Sequence, residues 1–220
     1  MTKTFCYLPW IFQGTRTNGH LRVCCAANSG PNKGSLTKND GTEYRIGQDS
    51  LTESRNSQTL KEVRKAMLEG KWHPVCTRCK QEEDSGIESR RILEQRHWED
   101  LPPQDLTQRT SPDGTISTDD VPVKFYELRL GNQCNLKCRS CNPTESSAWY
   151  DDHVKLYERE TFSDTQGKVE LKLKDGSYRS ADDSYNWMNN SQSWQDLKVN
   201  IDDLELLYLV GGEPLLINKH

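Results

Sequence analysis

The stretch that decides the fold covers residues 125–143 and has the sequence FYELRLGNQCNLKCRSCNP. Its apolar-rich beginning predicts a buried β-strand over residues 125–130. The strand leads into Cys134, Cys138 and Cys141, which have CxxxCxxC spacing. Three thiolates on one short loop can hold three irons of a cubane, and no fourth cysteine lies nearby to close the set. The spacing therefore predicts a 4Fe-4S cluster with one iron left open.

A second motif ends another strand-like segment. Residues 204–210 are rich in apolar side chains and predict a β-strand. This strand leads directly into Gly211, Gly212, Glu213 and Pro214. Glycines in such a turn allow a ligand or another backbone to approach closely.

The sequence between the two motifs predicts further elements. Residues 146–159 are typical of a helix. Residues 168–180 alternate around an Asp-Gly turn and predict a β-hairpin insertion. Residues 183–200 predict a helix or helical turns.

The ordered pair of motifs resembles the signature of the radical S-adenosylmethionine enzymes. In that family the cysteine triad follows the first barrel strand and a glycine-rich turn follows the second. The resemblance implies that the open iron binds the methionine amino and carboxylate groups of S-adenosylmethionine, and that residues 211–214 position that end of the cofactor. It further implies reductive cleavage to a 5'-deoxyadenosyl radical that abstracts hydrogen from a substrate, with the electron supplied by a protein such as flavodoxin or ferredoxin. We assign no catalytic side chain.

One position departs from the pattern of many relatives. Ser140 occupies the position before the last cysteine, where those relatives have an aromatic or bulky residue that touches the adenine. Adenine stacking would therefore come from elsewhere. Arg139 and Asn142 are candidate donors toward cluster sulfur, or they merely stabilise their own turn.

A second cysteine set lies in the first half of the chain. It consists of Cys6, Cys24, Cys76 and Cys79, the last two as a CxxC pair. Four thiolates satisfy either tetrahedral zinc or a four-cysteine iron–sulfur cluster. Cys25 is a spare thiol, which either replaces Cys24 as a ligand or is a small buried apolar residue.

The second set resembles the auxiliary-cluster domains called SPASM and twitch, and matches the shorter twitch form better. The resemblance rests on Pro9-Trp10, Cys24-Cys25, a helix and the CxxC pair. It implies one auxiliary iron–sulfur cluster and, as for many such relatives, a peptide or protein substrate. Such domains usually follow the catalytic barrel, whereas this one precedes it.

The elements around this set are also predictable. Residues 6–11 and 21–25 predict two strands of a hairpin, with its turn at Asn18-Gly19. A helix is predicted over residues 57–69, capped by Ser57. The hairpin would bring the first two cysteines together.

We predict an α/β chain of two units. Residues 1–100 form a small α+β cysteine-rich domain ending in a helix over 87–98, and residues 101–120 form a turn-rich linker. Residues 121–220 form the first part of a radical S-adenosylmethionine (βα) barrel. Only two barrel strands precede His220, so we expect a truncated product or a fragment with an open apolar edge.

Composition restricts the classes of function. The chain has 220 residues, 33% of them hydrophobic and 28% charged, with a formal net charge of -4. The absence of a large basic patch argues against nucleic-acid binding. The absence of an apolar stretch of about 20 residues argues against membrane spanning, and without a secretion signal we expect a cytoplasmic protein. In a reducing compartment the eight cysteines favour metal ligation over disulfides.

Two other functions remain open at this point. An electron-transfer protein would hold two redox-active clusters without cleaving S-adenosylmethionine. A zinc-binding interaction module would use all cysteines structurally and would be colourless.

Overall fold

The structure is a computed structural model that describes residues 2–28 and 31–217, so the chain end at His220 lies outside the described residues. The α-helices are α1 (Leu8–Ile11), α2 (Leu51–Ser54), α3 (Gln58–Leu68), α4 (Thr77–Asp84), α5 (Arg90–His97), α6 (Pro103–Thr107), α7 (Tyr150–Tyr157) and α8 (Ser191–Lys198). The strands are β1 (Phe12–Thr15), β2 (Leu21–Arg22), β3 (Phe125–Arg129), β4 (Thr161–Ser163), β5 (Lys168–Lys174), β6 (Ser177–Ser180) and β7 (Leu206–Val210). Short 3-10 turns cover Pro31–Gly34, Pro74–Cys76, Ser147–Trp149, Ser184–Asn189 and Pro214–Leu216.

A mixed four-stranded sheet organises the fold, in the order β2-β1-β3-β7. The β1, β3 and β7 strands are parallel, whereas β2 is antiparallel to β1. In register, Phe125 of β3 pairs with Phe12 on one side and with Leu206 on the other. The strands predicted at residues 125–130 and 204–210 are therefore confirmed, and the chain has a mixed α/β fold.

The strand predicted over residues 6–11 is wrong. Leu8–Ile11 form the short helix α1, and the strand begins only at Phe12. Pro9 lies in the first turn of α1, where its fixed φ suits a helix and its missing N–H costs nothing. All four α1 residues are buried, so their apolar run resembles a buried strand. The hairpin itself is confirmed, with Gly19 at φ +83° in its turn.

Serine side chains cap the two helices predicted in the first half of the chain, and Ser57 is the cap that the sequence predicts. Ser57 Oγ accepts a hydrogen bond from the Leu60 N–H at 3.4 Å at the start of α3. Ser89 Oγ accepts one from the Ile92 N–H at 3.3 Å at the start of α5, so the helix predicted over 87–98 begins later than expected.

A long crossover joins β3 to β7. It contains a 3-10 turn followed by α7, where one helix was predicted over 146–159. The β4, β5 and β6 strands then form a separate antiparallel sheet, which we call the insertion (residues 161–180). The predicted β5–β6 hairpin is confirmed, with Asp175 and Gly176 both at positive φ in its turn. The short β4 strand has no alternating apolar pattern and was not predicted.

One hydrophobic core includes side chains from both sides of the predicted linker. Phe12 and Phe125 pack edge to face across β1 and β3, with ring centroids 5.0 Å apart. Leu106 and Ile116, within the predicted linker, are buried in the same core. Residues before and after 101–120 therefore share one sheet and one core. A smaller cluster lies under the insertion.

Within the two described ranges, no helix combines the length and the apolar character that a membrane-spanning segment needs.

Candidate metal centres

The cysteine motif and the glycine motif lie side by side at one edge of the sheet. Because β3 and β7 are adjacent and parallel, their carboxyl ends meet at this edge. The cysteine loop (residues 131–143) follows β3, and the glycine turn (residues 211–214) follows β7. In open α/β sheets, ligands bind outside the carboxyl ends of the strands.

Backbone hydrogen bonds join the glycine turn to the start of the cysteine loop. The Gly212 N–H donates to the Gly131 oxygen at 3.1 Å, and the Glu213 N–H donates to the Gln133 oxygen at 2.7 Å. A Cβ on Gly212 would lie 2.1 Å from the Gln133 oxygen. Gly211 has φ +102°, and its Cβ would lie 2.7 Å from the Gly131 oxygen. Both glycines are therefore needed for this packing, while their approach to methionine stays a prediction.

The residues after the cysteine loop hold it in place. The Cys134 N–H donates to Ser147 Oγ at 3.2 Å. Trp149 Nε1 donates to the Cys138 oxygen at 3.2 Å. The Cys141 N–H also donates to the Cys138 oxygen, at 3.0 Å. The loop backbone is thus fixed at all three cysteines.

Asn132 is a structural residue of the site that sequence analysis missed. Its buried Nδ2 donates to the Pro143 oxygen at 2.9 Å and to Tyr150 Oη at 2.6 Å. Its backbone carbonyl oxygen accepts a hydrogen bond from the Ser147 N–H at 2.7 Å. Asn132 therefore joins both ends of the cysteine loop to α7. In the sequence, an asparagine after a glycine indicates only a turn.

The three loop cysteines differ in exposure. Cys138 is exposed, whereas Cys134 and Cys141 are half-buried. Burial raises the pKa of Cys141, and the carboxylate of Glu145 and the thiols of Cys138 and Cys134 raise it further. Cys134 Sγ accepts a hydrogen bond from the Leu136 N–H at 3.4 Å. The thiols of Cys134 and Cys138 thus lie within electrostatic range of Cys141.

Asn142 stabilises its own turn. Its Oδ1 accepts from the Thr144 N–H at 2.9 Å and from the Thr144 hydroxyl at 2.7 Å. Its Nδ2 donates to Asp164 Oδ2 at 2.9 Å. The bonds to Thr144 agree with the second of the two roles predicted for Asn142, which is to stabilise its own turn. The bond to Asp164 connects the cysteine loop to the insertion. Arg139 is exposed.

Four separate elements carry the second cysteine set, which we call the auxiliary site. Cys6 precedes α1, and Cys24 follows β2. Cys76 ends the 3-10 turn Pro74–Cys76, and Cys79 lies one turn further on in α4. His73 caps that 3-10 turn, because its Nδ1 accepts from the Val75 N–H at 3.3 Å.

The thiols of the auxiliary site influence one another. Burial raises the pKa of Cys6, which Cys76 and Cys79 raise further. Burial and the Cys79 thiol raise the pKa of Cys76 to about 12. Burial also raises the pKa of Cys24, and further contributions come from Cys25, Cys6, Cys76 and Cys79. The four thiols therefore lie within electrostatic range of one another, and their joint ligation of a metal stays a prediction.

The geometry of these thiols is not that of a bound metal. Across residues 2–28 and 31–217, no three Cys, His, Asp or Glu side chains are arranged so that they could hold a metal ion as they stand. Metal ligation at either cysteine set therefore stays a prediction.

Cys25 lies among charged side chains. Burial raises its pKa, with a further contribution from Glu127, whereas Arg90 and Arg22 lower it. Thiols therefore dominate the electrostatic surroundings of Cys24, whereas Glu127, Arg90 and Arg22 dominate those of Cys25. This arrangement favours Cys24 as the ligand.

Three arginines lie near thiols of the auxiliary region and bear on whether it suits a negatively charged centre. Arg22 is buried, and its Nε and Nη1 find no hydrogen-bond partner among the described residues. Arg90 Nε is likewise buried without a partner there. Arg91 lowers the pKa of Cys76, which burial raises. Positive charge near Cys24, Cys25 and Cys76 would favour the thiolate form that metal ligation needs.

One hydrogen bond links the cysteine loop to the lining of a polar cavity of about 560 Å³. The cavity lies between the residues that follow β1 and the insertion, and its lining includes Arg16, Lys33, Arg45 and Asp164. Asp164 is the residue that accepts from Asn142 of the cysteine loop. The cavity lining is thus joined to the loop that carries the cysteine triad.

Comparisons with protein-family models, with curated proteins and with solved structures found no match.

Proposed function

We propose that this chain is a radical S-adenosylmethionine enzyme in which β3 and β7 are the first two barrel strands. Cys134, Cys138 and Cys141 would hold the open-site 4Fe-4S cluster, and residues 211–214 would hold the methionine end of the cofactor. One observation carries this proposal. The glycine turn is hydrogen-bonded to the start of the cysteine loop at the carboxyl edge of two adjacent parallel strands.

When bound, the cluster and S-adenosylmethionine would supply a reductively generated 5'-deoxyadenosyl radical for hydrogen abstraction. The protein's own contribution is positional. Asn132, Ser147 and Trp149 hold the cysteine loop in one conformation. The bonds from Gly212 and Glu213 fix the glycine turn at a constant distance from that loop. Such preorganisation lowers the entropic cost of orienting reactants.

We also assign an auxiliary iron–sulfur cluster to Cys6, Cys24, Cys76 and Cys79. Their mutual electrostatic influence and the neighbouring arginines support a shared centre. Zinc has the same preference for four thiolates and is the competing occupant.

We propose that the substrate is a peptide or protein segment. The polar cavity linked to the cysteine loop is consistent with a polar substrate of this kind. Hydroxyl, amide and charged side chains line the cavity and would hydrogen-bond to such a segment. The one-electron donor would be a flavodoxin or ferredoxin, and the proposed location is the cytoplasm.

The proposal is tested by anaerobic reconstitution with iron and sulfide, followed by a chemical reductant and S-adenosylmethionine. The expected product is 5'-deoxyadenosine, formed by the parent chain and by the Cys25→Ala variant. The Cys138→Ala variant should form none, because two thiolates cannot hold the open-site cluster. Cys25→Ala is the matched control, since it also removes one thiol.

Equal product formation by Cys138→Ala and the parent would overturn the proposal. Two reducible clusters without any product would instead indicate an electron-transfer protein. Zinc at the auxiliary site with no cluster at the triad would indicate a zinc-binding module.

A further inference from the structure

Three cationic side chains line the polar cavity and bond only to neutral backbone oxygens of the described residues. They belong to Arg16, Lys33 and Arg45. Lys33 Nζ donates to the backbone oxygen of Asp164 at 3.0 Å, and Arg45 Nε donates to the backbone oxygen of Asn18 at 3.1 Å. A neutral carbonyl satisfies a donor without compensating its charge, so these cations can still attract an anion.

Arg16 is the buried member of this group and is only 2% exposed. Its Nη1 donates to the Thr165 oxygen of the insertion, and its Nη2 donates to the Lys33 oxygen. Burial lowers the pKa of Arg16 to about 10, which still leaves the guanidinium charged at neutral pH. A buried charge without a paired counter-charge is costly. An anion bound in the cavity would supply that counter-charge.

Four carboxylates also line the cavity, at Glu43, Asp164, Glu170 and Asp182. Glu43 pairs with His20, and Glu170 pairs with Lys168. The Asp164 carboxylate accepts hydrogen bonds from residues 142 and 144 and from two backbone N–H groups of its own turn. The fourth carboxylate is exposed and accepts from a backbone N–H. Each carboxylate of the lining is therefore already bonded to a donor.

The cavity suits a peptide better than a lone anion. Its volume of about 560 Å³ lies in the range of pockets that hold whole small ligands. Gln166 lines the cavity and is 9% exposed, and its buried Oε1 has no hydrogen-bond partner among the described residues. A peptide N–H would supply the missing donor, whereas a carboxylate or phosphate ion consists mainly of acceptors.

We propose that the polar cavity binds an acidic peptide segment, in which an Asp or Glu carboxylate bonds to Arg16, Lys33 and Arg45. The inference rests on the proposed function, because it takes the cavity as the site of the peptide or protein substrate and names the chemistry that the site selects. Charge-assisted hydrogen bonds are about twice as strong as neutral ones, so the carboxylate would anchor the segment.

The test measures peptide binding to the full chain by fluorescence anisotropy, which requires neither a cluster nor S-adenosylmethionine. The probes are two end-blocked peptides of glycine and serine with the same dye, which differ only in having glutamate or glutamine at the centre. The parent should bind the glutamate peptide about tenfold more tightly, because only its carboxylate compensates the cations.

The Lys33→Gln and Arg45→Gln substitutions together should reduce this preference to about twofold. Arg16 is left intact, since its bonds to two backbone segments also support the fold. Lys172→Gln with Lys174→Gln is the matched control, because both lysines are exposed on β5 and lie outside the cavity lining. The control should keep the tenfold preference, and circular dichroism should show that both double variants are folded.

Equal affinity of the parent for the two peptides would overturn the inference. A tenfold preference that persists without Lys33 and Arg45 would overturn it too, because the carboxylate would then bind elsewhere. Calorimetric binding of inorganic phosphate that depends on these two cations, with no preference between the peptides, would assign the cavity to a phosphate group instead.

The outcome is separable from that of the proposed function. A glutamate preference in a chain that forms no 5'-deoxyadenosine would support the acidic-peptide site and count against the radical enzyme. Formation of 5'-deoxyadenosine by a chain that binds both peptides alike would overturn the acidic-peptide site and leave the radical enzyme intact.

Discussion

Gly212 is the residue at which the two halves of the proposed cofactor site meet. An added Cβ would lie 2.1 Å from the Gln133 oxygen, a backbone atom that cannot turn aside. We expect Gly212→Ala to cost roughly 1–3 kcal/mol in the free energy of unfolding, by overpacking. We also expect it to weaken S-adenosylmethionine binding by about tenfold or more, or ~1.4 kcal/mol. Denaturant titration and equilibrium dialysis of the reconstituted chain measure the two effects.

Gly41→Ala is the control for that prediction. Gly41 has φ +83°, but a Cβ there would meet nothing within 4 Å. Its substitution should cost about 1–2 kcal/mol by backbone strain and leave cofactor binding unchanged. If Gly212→Ala bound S-adenosylmethionine as tightly as the parent, the close packing of Gly212 on Gln133 would not be needed for cofactor binding.

The adjacent thiols Cys24 and Cys25 should behave differently. Because Cys24 interacts with the other three thiols of the auxiliary site, Cys24→Ser should abolish tight metal loading there. Cys25→Ser should retain it, since Cys25 lies beside Glu127, Arg90 and Arg22. Metal content and cobalt absorption after anaerobic loading measure this directly. Loss of loading in Cys25→Ser with retention in Cys24→Ser would reverse the assignment.

The proposed ligand residues can be named from the sequence because their spacing along the chain is local. Cys76 and Cys79 are separated by two residues, so their proximity requires no knowledge of the fold. The Arg22–Glu127 pair joins residues 105 positions apart, and no local pattern indicates it. Asn132 looks like an ordinary turn residue until its contact with Tyr150 is known.

At the scale of elements, α3 is fixed by a buried arginine. Arg64 Nε donates to the Pro9 oxygen at 3.1 Å, and Arg64 Nη1 donates to the Gly114 oxygen at 2.6 Å. Its Nη2 donates to the Arg55 oxygen. Burial, with the nearby charge of Arg55, lowers the pKa of Arg64 to about 9. The helix is thereby tied to α1 and to the segment before β3.

Arg64→Ala should therefore destabilise the chain by about 3 kcal/mol or more, because three carbonyl oxygens lose their donor. Lys65→Ala, on the exposed face of the same helix, should stay within about 0.5 kcal/mol of the parent. Urea denaturation measures both variants. An Arg64→Ala variant as stable as Lys65→Ala would show that these bonds do not hold α3 in place.

Element type was predictable where a cap or a turn marks the boundary. Ser57 caps the predicted helix α3, and Asp175-Gly176 turns the predicted hairpin. The apolar run before Phe12 was misassigned because a helix buried on every side has no polar face to reveal its period.

At the scale of the whole molecule, the parallel pairing of β1 with β3 joins the two halves of the chain. Residues 12–14 pair with residues 125–127. Sequence analysis could not reveal this, since parallel pairing across more than 100 residues depends on topology rather than on local pattern. The predicted boundary at 101–120 rests on composition alone.

Because the two halves share a sheet and a core, we expect the chain to unfold in one cooperative transition. Far-UV circular dichroism and tryptophan fluorescence should give coincident denaturation curves. Phe125→Ala, which removes the ring packed against Phe12, should shift both curves together by about 3 kcal/mol or more. Two separate transitions, only one of them sensitive to Phe125→Ala, would contradict a common core.

The central claim is that the cysteine loop and the glycine turn form one cofactor site. Its most direct test is electron paramagnetic resonance of the anaerobically reconstituted and reduced chain, with and without S-adenosylmethionine. The Cys6→Ala and Cys76→Ala substitutions together remove the auxiliary signal. We predict a 4Fe-4S spectrum whose g values shift when S-adenosylmethionine is added and which disappears in Cys138→Ala. A cluster spectrum that S-adenosylmethionine leaves unchanged, or the absence of any cluster at the triad, would contradict the claim.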